Sequence, residues 1–280
     1  MSTAQSQKFA YLGPVGTFTE AALKKITYDS DIKIPYANVT AALDAVRTGD
    51  ADFALVPIEN SVEGVVARTL DELAIGDPLT ISGEVTLPVT FAFMVKVGTQ
   101  DVKRIGTHPH AESQCREYIA HKYPHAEIVP FPSTSAAAEA VSKGAIDAAI
   151  ASSSAAEHFG LEIREADIGD NSGAVTRFIC AQKPGWVPEP TGHDRTSMAV
   201  FIDIDHAGAL LEILQVFAKY DVNLTFIQSR PTGRELGHYH FIIDVEGHIK
   251  DSAVEKSVAE LREICDDIRF LGSYPREVRA

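Results

Sequence analysis

Long apolar runs, paired cysteines and clustered basic residues are all missing from this 280-residue chain, and each absence removes a class of function. No stretch of 18 consecutive apolar residues occurs, so no membrane span and no membrane partner are expected. The three cysteines, Cys115, Cys180 and Cys265, stand far apart with no CxxC pair. That argues against a disulfide framework and fits buried thiols in a reducing compartment. Met1 to Lys8 is polar, without the apolar core of a signal peptide, so the expected location is the cytoplasm. Lys and Arg are scattered and the formal net charge is −14. Without a basic stripe, nucleic acid is not an expected partner, and an anionic ligand would have to be drawn in by local donors and helix ends.

Cofactor signatures are missing too. No Gly-Lys-Ser/Thr follows the first glycine-rich turn, so it is not a P-loop. No Ser-His-Asp or Cys-His arrangement announces a nucleophile, and no cofactor is expected. What is there is an ordinary globular composition, 45% hydrophobic and 23% charged, at a length that suits two domains.

Short apolar runs alternate with helical patterns over the first two thirds. Phe9–Leu12, Phe53–Val56, Phe91–Val95, Arg104–Gly106, Ala148–Ala151 and Val175–Ala181 read as strands. Helices are expected near Thr19–Lys25, Ala41–Arg47 and Ala136–Val141. Another is expected over Pro109–Lys122, where Ala111, Cys115, Tyr118 and Ile119 share one face. This alternation implies an α/β domain with mostly parallel sheets. Lys183–Asp194 then packs three prolines and two glycines into a linker. Beyond it Met198, Val200, Ile202 and Ile204 alternate as a strand, and Leu210, Ile213, Leu214 and Phe217 share a helix face. Val222, Leu224 and Phe226, then Tyr239, Phe241, Ile243 and Val245, alternate again. Val254, Val258, Leu261 and Cys265 form a second helix face, with Ser252 and Glu255 at capping-box spacing, and Ile268–Leu271 closes the set. The order βαββαβ is ferredoxin-like.

Four polar loops lie where strands and helices meet, the places where α/β sheets hold ligands. In residues 13–20, Thr17 and Glu20 have capping-box spacing, which aims free N–H groups from a helix start at an anion. Residues 57–64 pack Glu59, Asn60, Ser61 and Glu63 after a buried strand. Thr107-His108-Pro109-His110 leads into a helix carrying Gln114, with Thr107 as its expected N-cap and proline at N1 or N2. The two histidines lack a third ligand at a metal spacing, as do His238 and His240, so no metal is expected. In residues 170–178 a polar loop enters a strand carrying Thr176, Arg177 and Phe178; Arg177 either reaches an anion or pairs with an acid. The residues alone define a two-domain α/β protein with clustered loops suited to a small anion.

Taken together, these segments resemble the prephenate dehydratase family. The matching pieces are Gly-Pro-Val-Gly-Thr-Phe at 13–18, Pro-Ile-Glu-Asn-Ser at 57–61 with Gly64, Thr-His-Pro-His…Gln-Cys across 107–115, Ser133-Thr134-Ser135, and Thr-Arg-Phe at 176–178. The C-terminal part resembles the ACT domain through Gly208-Ala209-Leu210, Val222-Asn223-Leu224-Thr225 and Gln228-Ser229-Arg230-Pro231. Gln228 departs from the usual glutamate, and Thr107 and Thr19 replace common serines.

The resemblance implies a two-lobed catalytic domain at 8–184, similar to periplasmic binding proteins, with one lobe about 8–87 plus 171–184 and the other about 90–166. A linker at 185–195 and a ferredoxin-like ACT domain at 196–276 follow. It implies decarboxylating dehydration of prephenate to phenylpyruvate, in phenylalanine biosynthesis, without cofactor or metal. Thr176, Glu59 and Arg177 are the implied catalytic residues. Thr17, Asn60, Ser61, Thr107, Gln114 and Phe178 would bind substrate. L-phenylalanine is the implied effector, near Gly208, Ala209, Leu210, Asn223, Leu224, Gln228 and Ser229 in a homodimer or homotetramer. Arogenate dehydratase, or a small-acid sensor on the same fold, is the alternative.

Overall fold

The computed structural model describes residues 6–202, 206–231 and 239–277. The chain begins with β1 (Lys8–Leu12), α1 (Phe18–Ile26), β2 (Ile32–Tyr36), α2 (Val39–Thr48), β3 (Phe53–Asn60), β4 (Gly64–Val65), α3 (Ala67–Ile75) and β5 (Thr80–Pro88). It passes to a second sheet as β6 (Ala92–Val95), β7 (Arg104–Thr107), α4 (Pro109–Ser113), α5 (Arg116–Lys122), β8 (Glu127–Pro130), α6 (Thr134–Ser142), β9 (Ala148–Ala151), α7 (Ser153–Phe159) and β10 (Glu162–Glu165), then returns as β11 (Val175–Gln182). The remainder is β12 (Asp194–Phe201), α8 (Ala209–Lys219), β13 (Leu224–Pro231), β14 (Tyr239–Glu246), α9 (Ser252–Ile264) and β15 (Asp267–Pro275), the βαββαβ order expected. Ile204 and His238 lie outside the described residues.

The first sheet runs β2-β1-β3-β11-β5 with β4 against β3, and the second runs β10-β6-β9-β7-β8. β1 pairs parallel with β2, and β7 parallel with both β8 and β9, whereas β6 pairs antiparallel with β9 and β10. The two crossings between the sheets are themselves hydrogen-bonded: Val89 N–H donates to Ala174 O, and Ile168 N–H to Phe91 O. Strand alternation sorts the second sheet's core. Ala92 and Met94 face a cluster with Ala137, Val141 and Ala149, while Phe93 and Val95 face one with Ile105, Ala148 and Ile150.

By contacts the chain groups into two compact units, Met1–Ala42, Leu55–Val66 and Val85–Phe178 in one, Leu43–Ala54, Ala67–Glu84 and Ile179–Ala280 in the other. The proline-rich segment Lys183–Asp194 lies wholly within the second unit. In the second unit α3 packs with the C-terminal sheet, where Arg230 grips Asp71 and the Arg269 guanidinium donates to Gly76 O. That four-stranded sheet has the order β13-β14-β12-β15. Its Met198, Val200, Ile243 and Val245 bury against Ile213, Val216, Phe217, Val258 and Leu261.

Three local expectations are corrected. The helix expected over Pro109–Lys122 is broken at Gln114-Cys115, because Asp170 inserts there. Its N–H donates to Gln114 O at 2.7 Å, and its carboxylate accepts from Glu117 N–H at the start of α5. The N-cap before α9 is Asp251 rather than Ser252. Leu210 is not on the core face of α8; it is exposed, and Val216 fills the core instead.

Candidate active site

A cavity of about 960 Å³ lies in the first unit, walled by loops from both sheets. Thr17, Phe18 and Thr19 enter it from the start of α1, Ser133, Thr134 and Ala136 from the start of α6, and His108, His110, Ala111 and Gln114 from the α4 segment. Asn60, Glu63, Gly64, Val65 and Val66 enter from the β3–β4 turn, and Thr176 from β11. Phe91, Val89, Leu12 and Tyr36 add apolar wall.

Local chemistry explains how the loops hold their places. Thr17 caps α1, accepting from Glu20 N–H at 3.4 Å. Glu20 reaches back to Gly16 N–H rather than to Thr17, so the capping box is displaced by one residue. The glycine-rich turn is anchored by neighbouring helices: Ser152 Oγ donates to Gly16 O at 2.9 Å, and Ser135 Oγ donates to Val15 O. Ser133 caps α6 by accepting from Ala136 N–H. Two nine-residue helices therefore start at the cavity wall. The N–H groups of their first turns have no intrahelical acceptor, and they carry the positive end of the helix dipole.

The β3–β4 turn is held by Asn60. Its Oδ1 accepts from Val62 N–H at 2.8 Å and Glu63 N–H at 2.9 Å, and its Nδ2 donates to Thr176 Oγ1 at 2.8 Å. Ser61 closes the same junction: its N–H donates to Val175 O, and its Oγ accepts from Val175 N–H. The Ser61 hydroxyl thus pins the turn to β11 one residue before Thr176, and it is not on the cavity wall.

Of the nine residues expected to catalyse or bind substrate, Thr17, Asn60, Gln114 and Thr176 line the cavity. Arg177 Nε lies 3.4 Å from Glu59 Oε2, the acid-pair alternative, and neither residue is on the wall. The Glu59 side chain is 40% exposed. Thr107 is fully buried, with its hydroxyl donating to Ile150 O at 2.9 Å, and Phe178 is also in the core. The N-cap of α4 is His108, whose Nδ1 accepts from His110 N–H, not Thr107. Thr107 ends β7 and turns its side chain into the sheet.

Sequence reasoning passed over His108 and His110 as wall residues and gave Glu63 no role. The two histidines lie within the motif at 107–115, and Glu63 lies between Ser61 and Gly64. Burial, and secondarily the neighbouring His110, pull the His108 imidazole below its usual pKa. With Nδ1 accepting, the neutral ring keeps its proton on Nε2. No group of His, Cys, Asp and Glu among the described residues could hold a metal ion. Burial, with Asp170 as a lesser cause, pushes the Cys115 thiol up to about 12, which makes it a poor nucleophile. No lysine or arginine stands among the described wall residues. An anion here meets helix ends, amides and hydroxyls instead of fixed cations.

A second, smaller cavity of about 190 Å³ lies in the other unit, lined by Ile202, His206, Gly208, Ala209, Leu210, Leu211, Tyr239 and Phe241. It includes the expected effector residues Gly208, Ala209 and Leu210. Asn223, Leu224, Gln228 and Ser229 lie elsewhere: Asn223 O accepts from Glu246 N–H, Leu224 packs on the core, and Gln228 Nε2 donates to Ser229 O.

Comparison with known proteins places these features in a family. A prephenate dehydratase family model matches residues 9–185, and an ACT domain model matches residues 200–263. A prephenate dehydratase of Amycolatopsis methanolica is 42% identical over 270 residues, 96% of this chain and 88% of that protein. The crystal structure of prephenate dehydratase from Arthrobacter aurescens in complex with L-Phe is 47% identical, with a TM-score of 0.90 over 96% of this chain and 90% of that one. A solved protein described as a novel type of quorum-quenching acylase is 29% identical, with a TM-score of 0.85 over 97% of this chain and 98% of that one.

Proposed function

The chain belongs to the prephenate dehydratase family, and on that premise we propose that it converts prephenate to phenylpyruvate in the cavity walled by Asn60, Thr176 and Gln114, under regulation by L-phenylalanine. The catalytic part is assigned to residues 8–184 and the ACT domain to 196–276. The reaction breaks the bond to the ring carboxylate, whose electron pair enters the ring as the C–O bond to the hydroxyl breaks. Carbon dioxide leaves, and the departing hydroxide takes a proton to become water. Aromatisation drives the step, so the protein's work is positioning and stabilising developing charge.

The observation that supports this reading most is the orientation of Asn60. Two backbone N–H groups occupy its carbonyl oxygen, so its amide nitrogen must face Thr176. Thr176 Oγ1 then accepts from Asn60 and keeps its own proton to donate into the cavity. A preset O–H donor aimed at the leaving hydroxyl stabilises charge as it develops there. The starts of α1 and α6 offer N–H groups to the substrate carboxylates. Phe18, Phe91, Val65 and Val89 would keep the departing carboxylate poorly solvated, which favours its loss. Arg177 and Glu59 act from behind the wall by fixing the ends of β11 and β3.

The test is phenylpyruvate formation by the wild type and by Thr176→Ala. Removing one such donor is expected to lower kcat by roughly 10²–10³. Near-normal turnover by the variant would remove the role of Thr176. A wild type that leaves prephenate intact would remove the reading and turn attention to arogenate, or to the acyl substrates of the related acylase.

For regulation, the small cavity at Gly208–Leu210 is the proposed L-phenylalanine site, completed by a partner subunit in a dimer or tetramer. Feedback requires the effector to bind one state of the catalytic part better than another. Equal L-phenylalanine affinity with and without prephenate bound to Thr176→Ala would rule out the coupling.

A further inference from the structure

Glu63 is the one carboxylate among the described residues on the cavity wall. A carboxylate there opposes binding of a dianion unless donors engage it. Its partners come from the facing segment: Oε1 accepts from Gln114 Nε2 at 3.1 Å, and Oε2 lies 3.9 Å from His110 Nδ1. The contact joins residues 51 positions apart, one in the β3–β4 turn of the first sheet, the other at the C-cap of α4 in the second. Glu63's own backbone is fixed, since its N–H is one of the two held by Asn60 Oδ1.

A carboxylate can only accept, so the amide nitrogen of Gln114 must face Glu63, and its carbonyl and second amide hydrogen are left for a ligand. The same asparagine that orients Thr176 thus also holds the turn whose glutamate orients Gln114. We propose that Glu63 is a positioning residue for the substrate: it closes one side of the cavity by tying the β3–β4 turn to α4, and it sets the rotation of the Gln114 amide that meets prephenate. The inference rests on the reading of the cavity as the prephenate site.

The experiment compares Glu63→Ala and Glu63→Gln with wild type. A glutamine at 63 can still accept from Gln114 through its carbonyl, whereas alanine cannot. Glu63→Ala is expected to raise KM for prephenate about tenfold with a smaller change in kcat, the pattern of lost substrate binding. Glu63→Gln is expected to recover most of that loss. Equal impairment of both variants would show that charge rather than orientation matters, and would overturn the proposal, as would an unchanged KM in Glu63→Ala. Calorimetric titration of prephenate into Thr176→Ala and Thr176→Ala/Glu63→Ala separates this from the function itself. About tenfold weaker binding in the double variant supports the role of Glu63 whatever the wild-type turnover, and equal binding in the two sinks it. Wild-type enzyme that binds prephenate without forming phenylpyruvate would instead sink the assigned reaction.

Discussion

The amide of Asn60 donates to the hydroxyl oxygen of Thr176 at 2.8 Å, joining two residues 116 positions apart in the chain. Neither residue can turn independently, because the other end of the asparagine is occupied by Val62 and Glu63 N–H groups. The Thr176 proton is thereby directed, and the direction is inherited from a turn in a different part of the sequence.

If that coupling carries catalysis, Asn60→Ala should cost nearly as much as Thr176→Ala, roughly 10² in kcat. The double variant should be little worse than either alone, since residues acting as a unit are not additive. Steady-state rates of the three proteins check this; fully multiplicative losses would show that the two act separately. Thr176→Ser, which retains the hydroxyl, should keep far more activity than Thr176→Ala.

Arg230 and Asp71 form a forked pair, with Nε to Oδ1 at 2.9 Å and one terminal nitrogen to Oδ2 at 2.7 Å, both side chains about three-quarters buried. Asp71→Asn leaves a partly buried guanidinium short of its acceptor. A loss of about 1–3 kcal/mol is expected, read from denaturant unfolding monitored by near-UV circular dichroism. Arg230→Lys keeps the charge but not the fork, so it should also destabilise; a neutral effect would mean that the pair is only a surface contact.

His240 is fully buried, with Phe201 stacked on its ring at 5.2 Å between centroids. Burial is the first cause that lowers its pKa; Arg230 lowers it further, and Asp71 opposes. The unfolded chain binds the proton more readily, so stability should fall as pH drops below the ordinary histidine value of about 6.5. The loss ends once the folded protein itself protonates. His108 contributes in the same direction. Stability measured from pH 7.5 to 5 should decline by up to about 1.4 kcal/mol per pH unit per histidine. The decline should be shallower in His240→Leu, and an identical slope in that variant would exclude His240 as a contributor.

Gly272 sits at φ +148, and a Cβ there would meet Ile81 O at 2.3 Å and Ile81 N at 2.9 Å, both backbone atoms. Gly272→Ala must therefore displace a strand, and a loss of more than about 3 kcal/mol is expected. Gly64 shares a positive φ of +84 but has nothing within 4 Å of an added Cβ. Gly64→Ala should cost only about 1–2 kcal/mol. Thermal unfolding should rank the two in that order; equal costs would mean that backbone strain, not the clash, decides.

Much of the fold was readable from periodicity. The alternation of Met198 and Val200, and of Ile243 and Val245, marked the buried face of the C-terminal sheet. The buried face of α9, with Val254, Val258 and Leu261, followed from spacing alone. Short strands such as β2, β8 and β10 carry no such pattern, because none of their residues is buried. Position-specific geometry was less legible. Thr107 reads as a cap because threonine precedes histidine and proline, yet the strand extends one residue further and turns its hydroxyl to Ile150. The break between α4 and α5 depends on Asp170, more than fifty residues away, and no local signal announces it.

By itself the sequence determined the longer elements and the α/β and βαββαβ plan, since these follow from local propensity and the period of apolar residues, and the likeness of its polar motifs pointed to the family. Only the tertiary structure decided which motif residues share a wall. It put Asn60, Thr176 and Gln114 on the cavity, set Arg177 against Glu59, buried Thr107, and brought Glu63 to Gln114. Side-chain direction at a strand end or turn depends on hydrogen bonds to distant segments, and those partners exist only once the two sheets have come together.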